Sequence, residues 1–207
     1  MTLICILLKI LQFNRQVLFP GILKWIANAG PGLHAQLAQE IRTAVREAGG
    51  VTLLAIEKME LTKSVVYEAL RMDPPVKFSQ AKAKQDLIVE SHDAAYKVKK
   101  GEILFAYQPF ATMDEKVFEN AKEFVPDRFV GEKGKELLKY LVWSFGPETE
   151  APTVDNKQCA GKDFVVLISR LLLIEFFLRY DTFTADVGTL LLGAQVTMKS
   201  VKKATTT

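Results

Sequence analysis

Cysteine and histidine are scarce in this chain, which has two of each among its 207 residues. Cys5 and Cys159 lie far apart in sequence, and the chain contains no Cys-x-x-Cys motif. One pair of cysteines does not make a disulfide framework, so a reducing compartment is expected. Since His34 and His92 are the only histidines, the sequence also argues against a zinc site.

The chain also lacks a long uninterrupted apolar run, although residues 1–26 are rich in leucine and isoleucine. Lys9 and Arg15-Gln16 interrupt this segment, whereas a membrane-spanning helix needs roughly 20 consecutive apolar residues. The segment has neither the cleavage region of a signal peptide nor the composition of a transit peptide. We predict a core helix over residues 3–12, with a peripheral membrane contact as the alternative.

No stretch of one charge sign runs along the chain, and the formal net charge is only +3. Lysines and arginines alternate with acidic residues, so there is no basic stripe that would indicate nucleic-acid binding. A hydrophobic content of 49% with 25% charged residues is ordinary for a globular protein and excludes a disordered chain. The length fits one domain or a large part of one.

The periodicity of apolar residues predicts a mainly α-helical protein with a small β-sheet, the α+β class. Apolar residues recur every four positions over 31–48, and a second helix is predicted over 56–72, where Pro74-Pro75 forbids its continuation. Pro20-Gly21 breaks the first apolar segment. Further helices are predicted over 114–122, 132–140 and 160–179.

Branched and aromatic residues predict the strands. Residues 86–91 and 96–108 favour strands, and Lys100-Gly101-Glu102 favours a turn between strands. A long polar loop is predicted over 144–158, and one or two further strands over 181–200.

Cys159 directly precedes one of the most apolar helical stretches of the chain. Residues 164–177 are apolar almost all round, which predicts a buried helix. A cysteine at this point faces free backbone N–H groups and the positive end of the helix dipole, and both stabilise a thiolate. A thiolate binds metals or attacks electrophiles. The alternative is a small buried side chain without a chemical role.

Two other features carry charge at informative spacings. Glu68 and Arg71 stand three residues apart on one helix and can form a charge-assisted pair, although such pairs are common. Arg128 lies in an irregular stretch, FVPDRFVG, where a solvated loop arginine is the alternative.

These features follow one another in a telling order: a Glu-x-x-Arg helix, a small sheet, a Pro-x-Arg-Phe loop and a cysteine before a buried helix. In this order the chain resembles the carboxy-terminal half of the cytochrome P-450 haem-thiolate superfamily. The resemblance implies that Glu68, Arg71 and Arg128 form a structural triad that braces the haem-binding core. It also implies that Cys159 is the axial thiolate ligand of the iron of haem b, and that Gly161 occupies the glycine position of the family's motif.

The cysteine loop resembles one plant branch of that superfamily. Lys157 stands where most members have an arginine, so the resemblance implies that it pairs with a haem propionate, and Lys82 is a second candidate. Phe145-Gly146 lies fourteen residues before Cys159, further than in most members. The lengthened loop and the segments ESHDAAY, YQPFAT and RYDTF are similar to the branch that rearranges fatty-acid hydroperoxides, and within it to the allene oxide synthases.

The resemblance implies a hydro-lyase that dehydrates a fatty-acid hydroperoxide to an allene oxide in oxylipin and jasmonate biosynthesis. Such an enzyme uses neither a reductase nor molecular oxygen, because the substrate brings its own O–O bond. Hydroperoxide lyase and divinyl ether synthase are the nearest alternatives, and a catalytically inert haem-binding remnant is the alternative from another class. An oxygen-using monooxygenase is the third hypothesis for the function. Plastid membranes are the location that the resemblance implies, the cytoplasm otherwise.

The chain departs from the family in its first residues. The amino-terminal half of the family's fold has no counterpart, so residues 1–207 are expected to form a single partial domain. The family's distal asparagine, its two glycines and a lysine are not preserved in LQFNRQVLFPG. Counting back from Pro20 aligns Ile10 with the asparagine and Gln16 with the lysine. Asn14 becomes a catalytic candidate only if four residues are deleted, and an exposed turn asparagine is the alternative.

Overall fold

The computed structural model of the chain describes residues 17–91, 93–154, 157–190 and 193–205. Within these ranges the chain forms seven helices and four two-stranded antiparallel ladders. This confirms the predicted α+β class. The helix predicted over 3–12 lies outside the described residues.

The first two helices are separated by a single glycine. α1 covers Phe19–Ala29 and α2 covers Pro31–Glu47, with Gly30 between them at φ 80°. The sequence predicts only a break at Pro20-Gly21, but Pro20 lies in the first turn of α1, where its missing N–H has no intrahelical partner to lose. The helix predicted over 31–48 is confirmed as α2.

Two helices replace the single one that the sequence predicts over 56–72. α3 covers Leu53–Glu57 and α4 covers Glu60–Met72. α3 starts after Thr52, whose side chain accepts a hydrogen bond from the Ala55 N–H at 3.1 Å. α4 lies at the centre of the fold, since nine of its 13 residues are buried.

Four strands follow α4 and pair in a nested order. They are β1 Phe78–Lys82, β2 Leu87–Glu90, β3 Ala95–Val98 and β4 Ile103–Tyr107. β2 pairs with β3, and β1 pairs with β4, both antiparallel. Gly101 forms the predicted turn with φ 92°. The strands on its two sides do not pair with each other, because β4 returns alongside β1.

Short elements connect this region to the cysteine loop. They are α5 Gln108–Thr112, α6 Gly131–Leu137, a 3₁₀ turn Leu138–Tyr140, β5 Val142–Trp143 and β6 Gly146–Pro147. α6 and the 3₁₀ turn confirm the helix predicted over 132–140. β5 and β6 pair with each other, so a short hairpin lies at the start of the predicted loop.

The helix predicted over 114–122 is wrong, because the chain forms a series of turns there. Arginine side chains bind backbone carbonyls of this segment. Arg71 donates to the Ala121 carbonyl at 2.7 Å, and Arg128 donates to the Glu119 carbonyl at 2.5 Å. Tertiary contacts therefore override the local helix preference.

The last helix leads directly into a long hairpin. α7 covers Lys162–Arg179, β7 covers Tyr180–Thr189 and β8 covers Ala194–Lys203. The helix predicted over 160–179 and the strands predicted over 181–200 are confirmed.

α7 contributes to the core along one side only. Leu173, Ile174 and Phe177 are fully buried among residues of α2 and α4. Leu171 and Leu172 stay half-buried, so the prediction of an entirely buried helix holds for the side that α2 and α4 cover. No helix in the described part of the chain is long and apolar enough to cross a membrane.

Candidate functional site

An apolar cavity of about 530 Å³ lies between the end of α4, the start of β1 and the cysteine loop. Most of its wall comes from aliphatic side chains and prolines: Leu18, Leu70, Pro74, Pro75, Leu141 and Val165. Thr112 supplies a buried hydroxyl that has no hydrogen-bond partner among the described residues. The cavity can therefore take a large apolar group with a few polar atoms at its edge.

Cys159 forms part of this wall, immediately before α7. Its side chain is exposed and forms no disulfide, and its carbonyl accepts a hydrogen bond from the Lys162 N–H at 3.1 Å. Gly161 lies in the same wall and is buried at the N-cap of α7. The thiol is therefore accessible from the cavity side and lies close to the positive end of a helix of 18 residues.

Glu68 and Arg71 of α4 form an ion pair in which neither side chain is exposed. Arg71 Nε lies 2.7 Å from Glu68 Oε2, and Arg71 Nη2 lies 2.8 Å from Oε1. Arg128 Nε lies 3.0 Å from both Glu68 oxygens. One buried carboxylate thus holds two guanidinium groups, and the structure brings the three predicted triad residues together.

The two arginines also organise the chain after α5. Arg71 donates to the carbonyls of Thr112 and Ala121 at 2.6 and 2.7 Å. The ring of Phe118 lies 5.1 Å from the guanidinium carbon of Arg71 and 5.9 Å from that of Arg128. Since Thr112 is also a wall residue, the triad is coupled to the cavity through a backbone hydrogen bond.

The predicted propionate partners lie at the surface. Lys157 is exposed, and its carbonyl accepts a hydrogen bond from the Phe145 N–H at 3.1 Å. Lys82 is exposed at the end of β1, opposite Ile103. Neither side chain belongs to the cavity wall. Asn14, the candidate for a catalytic role, lies outside the described residues.

Tyr67 and Glu148 form a contact that the sequence does not reveal, because they are far apart in the chain. The Tyr67 hydroxyl donates to Glu148 Oε1 at 2.7 Å. Burial raises the pKa of Tyr67 well above its ordinary value, and the charge of Glu148 raises it further. Tyr67 is therefore a hydrogen-bond donor at all physiological pH values.

Comparison with known proteins shows which family has a similar sequence. The sequence profile of the cytochrome P450 family matches residues 23–199. The chain belongs to the cytochrome P450 family.

Curated relatives within the cytochrome P450 family are allene oxide synthases. Allene oxide synthase 2, chloroplastic, of Solanum lycopersicum is 63% identical over 190 residues, which are 91% of this chain and 37% of that protein. Allene oxide synthase, chloroplastic, of Arabidopsis thaliana is 59% identical over 190 residues, 91% of this chain and 37% of that protein. Allene oxide synthase 1, chloroplastic, of Oryza sativa subsp. japonica is 58% identical over 191 residues, which are 92% of this chain and 37% of that protein. The chain spans little more than a third of the length of these relatives.

Membership of the cytochrome P450 family implies a haem cofactor, and the residues of the cavity fit one. A bare metal ion needs several protein ligands, but the described residues contain no group of three His, Cys, Asp or Glu side chains that could hold one. Haem iron can be held by a single protein ligand, because the porphyrin supplies four nitrogen ligands. A single thiol in the wall of a large apolar cavity matches that requirement.

Proposed function

We propose that this chain is the haem-binding part of an allene oxide synthase, a hydro-lyase that dehydrates a fatty-acid hydroperoxide to an allene oxide and water. The observation that carries the proposal is the position of Cys159, an accessible thiol in the wall of an apolar cavity directly before α7. The names of three relatives at 58–63% identity support the choice of reaction.

In this proposal each part of the cavity has a separate task. Cys159 would hold the iron as a thiolate, which the start of α7 stabilises. Bound haem would supply the redox chemistry that cleavage of the hydroperoxide O–O bond requires. The aliphatic wall keeps water away from the reacting centre and accommodates the macrocycle. The family resemblance assigns Lys157 to a haem propionate, with Lys82 as the second candidate, and both residues are exposed at the surface.

The triad of Glu68, Arg71 and Arg128 has a structural role in this proposal. Its buried charges fix the end of α5 and the segment after it through five backbone carbonyls: Thr112, Glu119, Asn120, Ala121 and Glu123. Thr112 belongs to the cavity wall. We infer that loss of the triad lowers haem uptake by loosening this wall.

The same proposal fixes the partners and the location. The substrate is a fatty-acid hydroperoxide, and no reductase is needed because the O–O bond of the substrate is the oxidant. The names of all three relatives above place those proteins in the chloroplast, so we infer a plastid location for this protein. A peripheral contact with plastid membranes, and the absence of a nucleic-acid partner, belong to the same proposal.

The test is haem titration of the purified chain, followed by incubation with a fatty-acid hydroperoxide and product analysis. The proposal predicts thiolate-type haem binding, consumption of the hydroperoxide and ketols as the hydrolysis products of an allene oxide. Short-chain aldehydes would assign the activity to a hydroperoxide lyase, and a divinyl ether to the third activity of the branch. Haem binding without consumption of hydroperoxide would make the chain an inert haem-binding remnant.

A further inference from the structure

The residues on either side of Cys159 both reach back to the same short segment of the loop, residues 147–150. Gln158 Nε2 donates to the carbonyls of Pro147 and Glu150 at 2.6 and 2.7 Å. Lys162 Nζ donates to the carbonyl of Glu148 at 2.9 Å. The backbone around the cysteine is therefore tied to this segment from both sides.

The segment is in turn tied to α4 through the Glu148 side chain. The Tyr67 hydroxyl donates to Glu148 Oε1 at 2.7 Å, and Tyr67 precedes Glu68 of the buried ion network in sequence. The Glu148 N–H also donates to the Leu141 carbonyl at 2.8 Å. Side chain and backbone of Glu148 thus fix the segment to α4 and to the cavity wall, since Leu141 is a wall residue.

The charges of this contact are largely removed from water. The side chains of Glu148 and Lys162 are 11% and 12% exposed, and Tyr67 is 4% exposed. Glu148 Oε2 accepts no hydrogen bond from the described residues and lies 3.8 Å from Lys162 Nζ. A carboxylate in such a place depends strongly on its few partners, because a buried charge without a partner is costly.

We propose that Tyr67, Glu148, Gln158 and Lys162 form a brace, here called the Glu148 brace, that positions the sulfur of Cys159 for the axial site of the iron. The brace works through the backbone, since the hydrogen bonds of Gln158 and Lys162 go to backbone carbonyls of residues 147–150. Its members are positioning residues. The inference rests on the assignment of Cys159 as the iron ligand under the proposed function, but it concerns the chain's own residues and can be tested in the haem-free protein as well.

The lengthened loop explains why such a brace is needed. Thirteen residues lie between Phe145 and Cys159, and a longer connection leaves more conformations to the residue at its end. The hydrogen bonds of Gln158 and Lys162 join the cysteine end of this connection to residues 147–150 as one unit. The Tyr67–Glu148 contact then fixes the unit to α4, so the sulfur has one position relative to the triad helix.

The experiment compares Tyr67→Phe, Glu148→Ala and Glu148→Gln with the unchanged full chain, using two measurements. The first is hydrogen–deuterium exchange at residues 158–163 in the haem-free protein, which includes the Lys162 N–H bonded to the Cys159 carbonyl. The second is the fraction of thiolate-type haem spectrum after saturation with haemin. Tyr140→Phe is the matched control because it removes the same hydroxyl from a ring that is 39% exposed.

The brace predicts about tenfold faster local exchange in Tyr67→Phe and Glu148→Ala, since each variant loses a hydrogen bond to a charged group. The thiolate-type fraction falls in the same two variants. Glu148→Gln, which keeps an acceptor for Tyr67, recovers most of both signals, and Tyr140→Phe changes neither. The double variant Tyr67→Phe/Glu148→Ala is no worse than Glu148→Ala alone, because both changes remove one contact.

The brace is refuted if local exchange is unchanged in Tyr67→Phe and Glu148→Ala. It is also refuted if exchange rises while the thiolate-type fraction stays constant, because the contact would then serve loop stability alone. If the unchanged chain takes up no haem, the proposed function fails, and with it the role of the brace toward the iron. Exchange in the haem-free protein then tests only whether the brace fixes the backbone at Cys159, and unchanged exchange refutes that as well.

Discussion

Glu68 and Arg71 are joined by two parallel hydrogen bonds, of 2.7 and 2.8 Å, and the side chains of both residues are fully buried. The geometry is that of a bidentate carboxylate–guanidinium pair, which is stronger and more directional than a single contact. Arg128 brings a second guanidinium group to the same carboxylate from the loop before α6. A helix at the centre of the fold is thereby connected to a segment without regular secondary structure.

Removal of one partner of this pair should be strongly destabilising. We expect Arg71→Met to lower the free energy of unfolding by about 3–5 kcal/mol, because Glu68 loses its bidentate partner and the Thr112 and Ala121 carbonyls lose their donor. Urea denaturation followed by circular dichroism measures the change. Lys135→Met is the matched control, since Lys135 and Glu132 have the same three-residue spacing but are exposed, and it should leave the midpoint unchanged. Equal midpoints for Arg71→Met and Lys135→Met would contradict the account.

Gly134 of α6 should tolerate no side chain. A Cβ at this position would lie 2.3 Å from the Phe129 carbonyl carbon and 2.8 Å from the Arg128 carbonyl oxygen. We expect Gly134→Ala to destabilise the protein by about 1–3 kcal/mol, because backbone atoms beside the triad arginine must move. Thermal unfolding is the measurement.

Gly32→Ala is the control for that substitution. Gly32 lies in α2, is exposed, and has open space where its Cβ would be. Alanine should stabilise the helix there by about 0.5–1 kcal/mol. A lower melting temperature for Gly32→Ala, or an unchanged one for Gly134→Ala, would show that the packing around these glycines is wrongly described.

His34 should make the protein less stable in mild acid. Its ring is buried, stacks on Phe183 with 4.6 Å between centroids, and bonds Thr182 Oγ1 at 2.7 Å and the Ile26 carbonyl at 3.0 Å. Burial lowers the pKa of His34 below its ordinary value, so the unfolded chain binds more protons than the folded chain as the pH falls. Stability is therefore lost below about pH 6.5, by at most about 1.4 kcal/mol per pH unit.

The measurement is the free energy of unfolding between about pH 7.5 and 5.5, for the unchanged chain and for His34→Gln. Glutamine removes the titrating group and can still donate to the Ile26 carbonyl. We expect a shallower pH dependence in His34→Gln. The same slope in both proteins would mean that another group controls stability in this range.

The sequence predicts helices and strands well where one pattern dominates locally. α2, α7 and the β7–β8 hairpin follow from their periodicity and apolar content. The helix predicted over 114–122 is wrong, because Arg71 and Arg128 bind backbone carbonyls of this segment. Arg71 is distant from the segment in sequence, so the local pattern does not reveal its contact. α1 is missed because Pro20 was expected to break a helix, although the first turn accepts proline.

In the candidate site, too, some residues can be predicted from the sequence and others only from the structure. Cys159 stands out from sequence, since a lone thiol before an apolar helix is rare enough to notice. The contact between Tyr67 and Glu148 gives no local signal, because it depends on how the long loop folds back onto α4. Residue type and spacing predict single ligands, but only the folded chain shows what positions them.

The central claim is that Cys159 binds the iron of haem, and an absorption spectrum of the haemin-loaded chain with its variants tests it most directly. We predict a thiolate-type haem spectrum for the unchanged chain and for Cys5→Ser, in which the other cysteine is removed. Cys159→Ser should lose that spectrum. A thiolate-type spectrum that survives in Cys159→Ser, or that disappears in Cys5→Ser, would contradict the assignment.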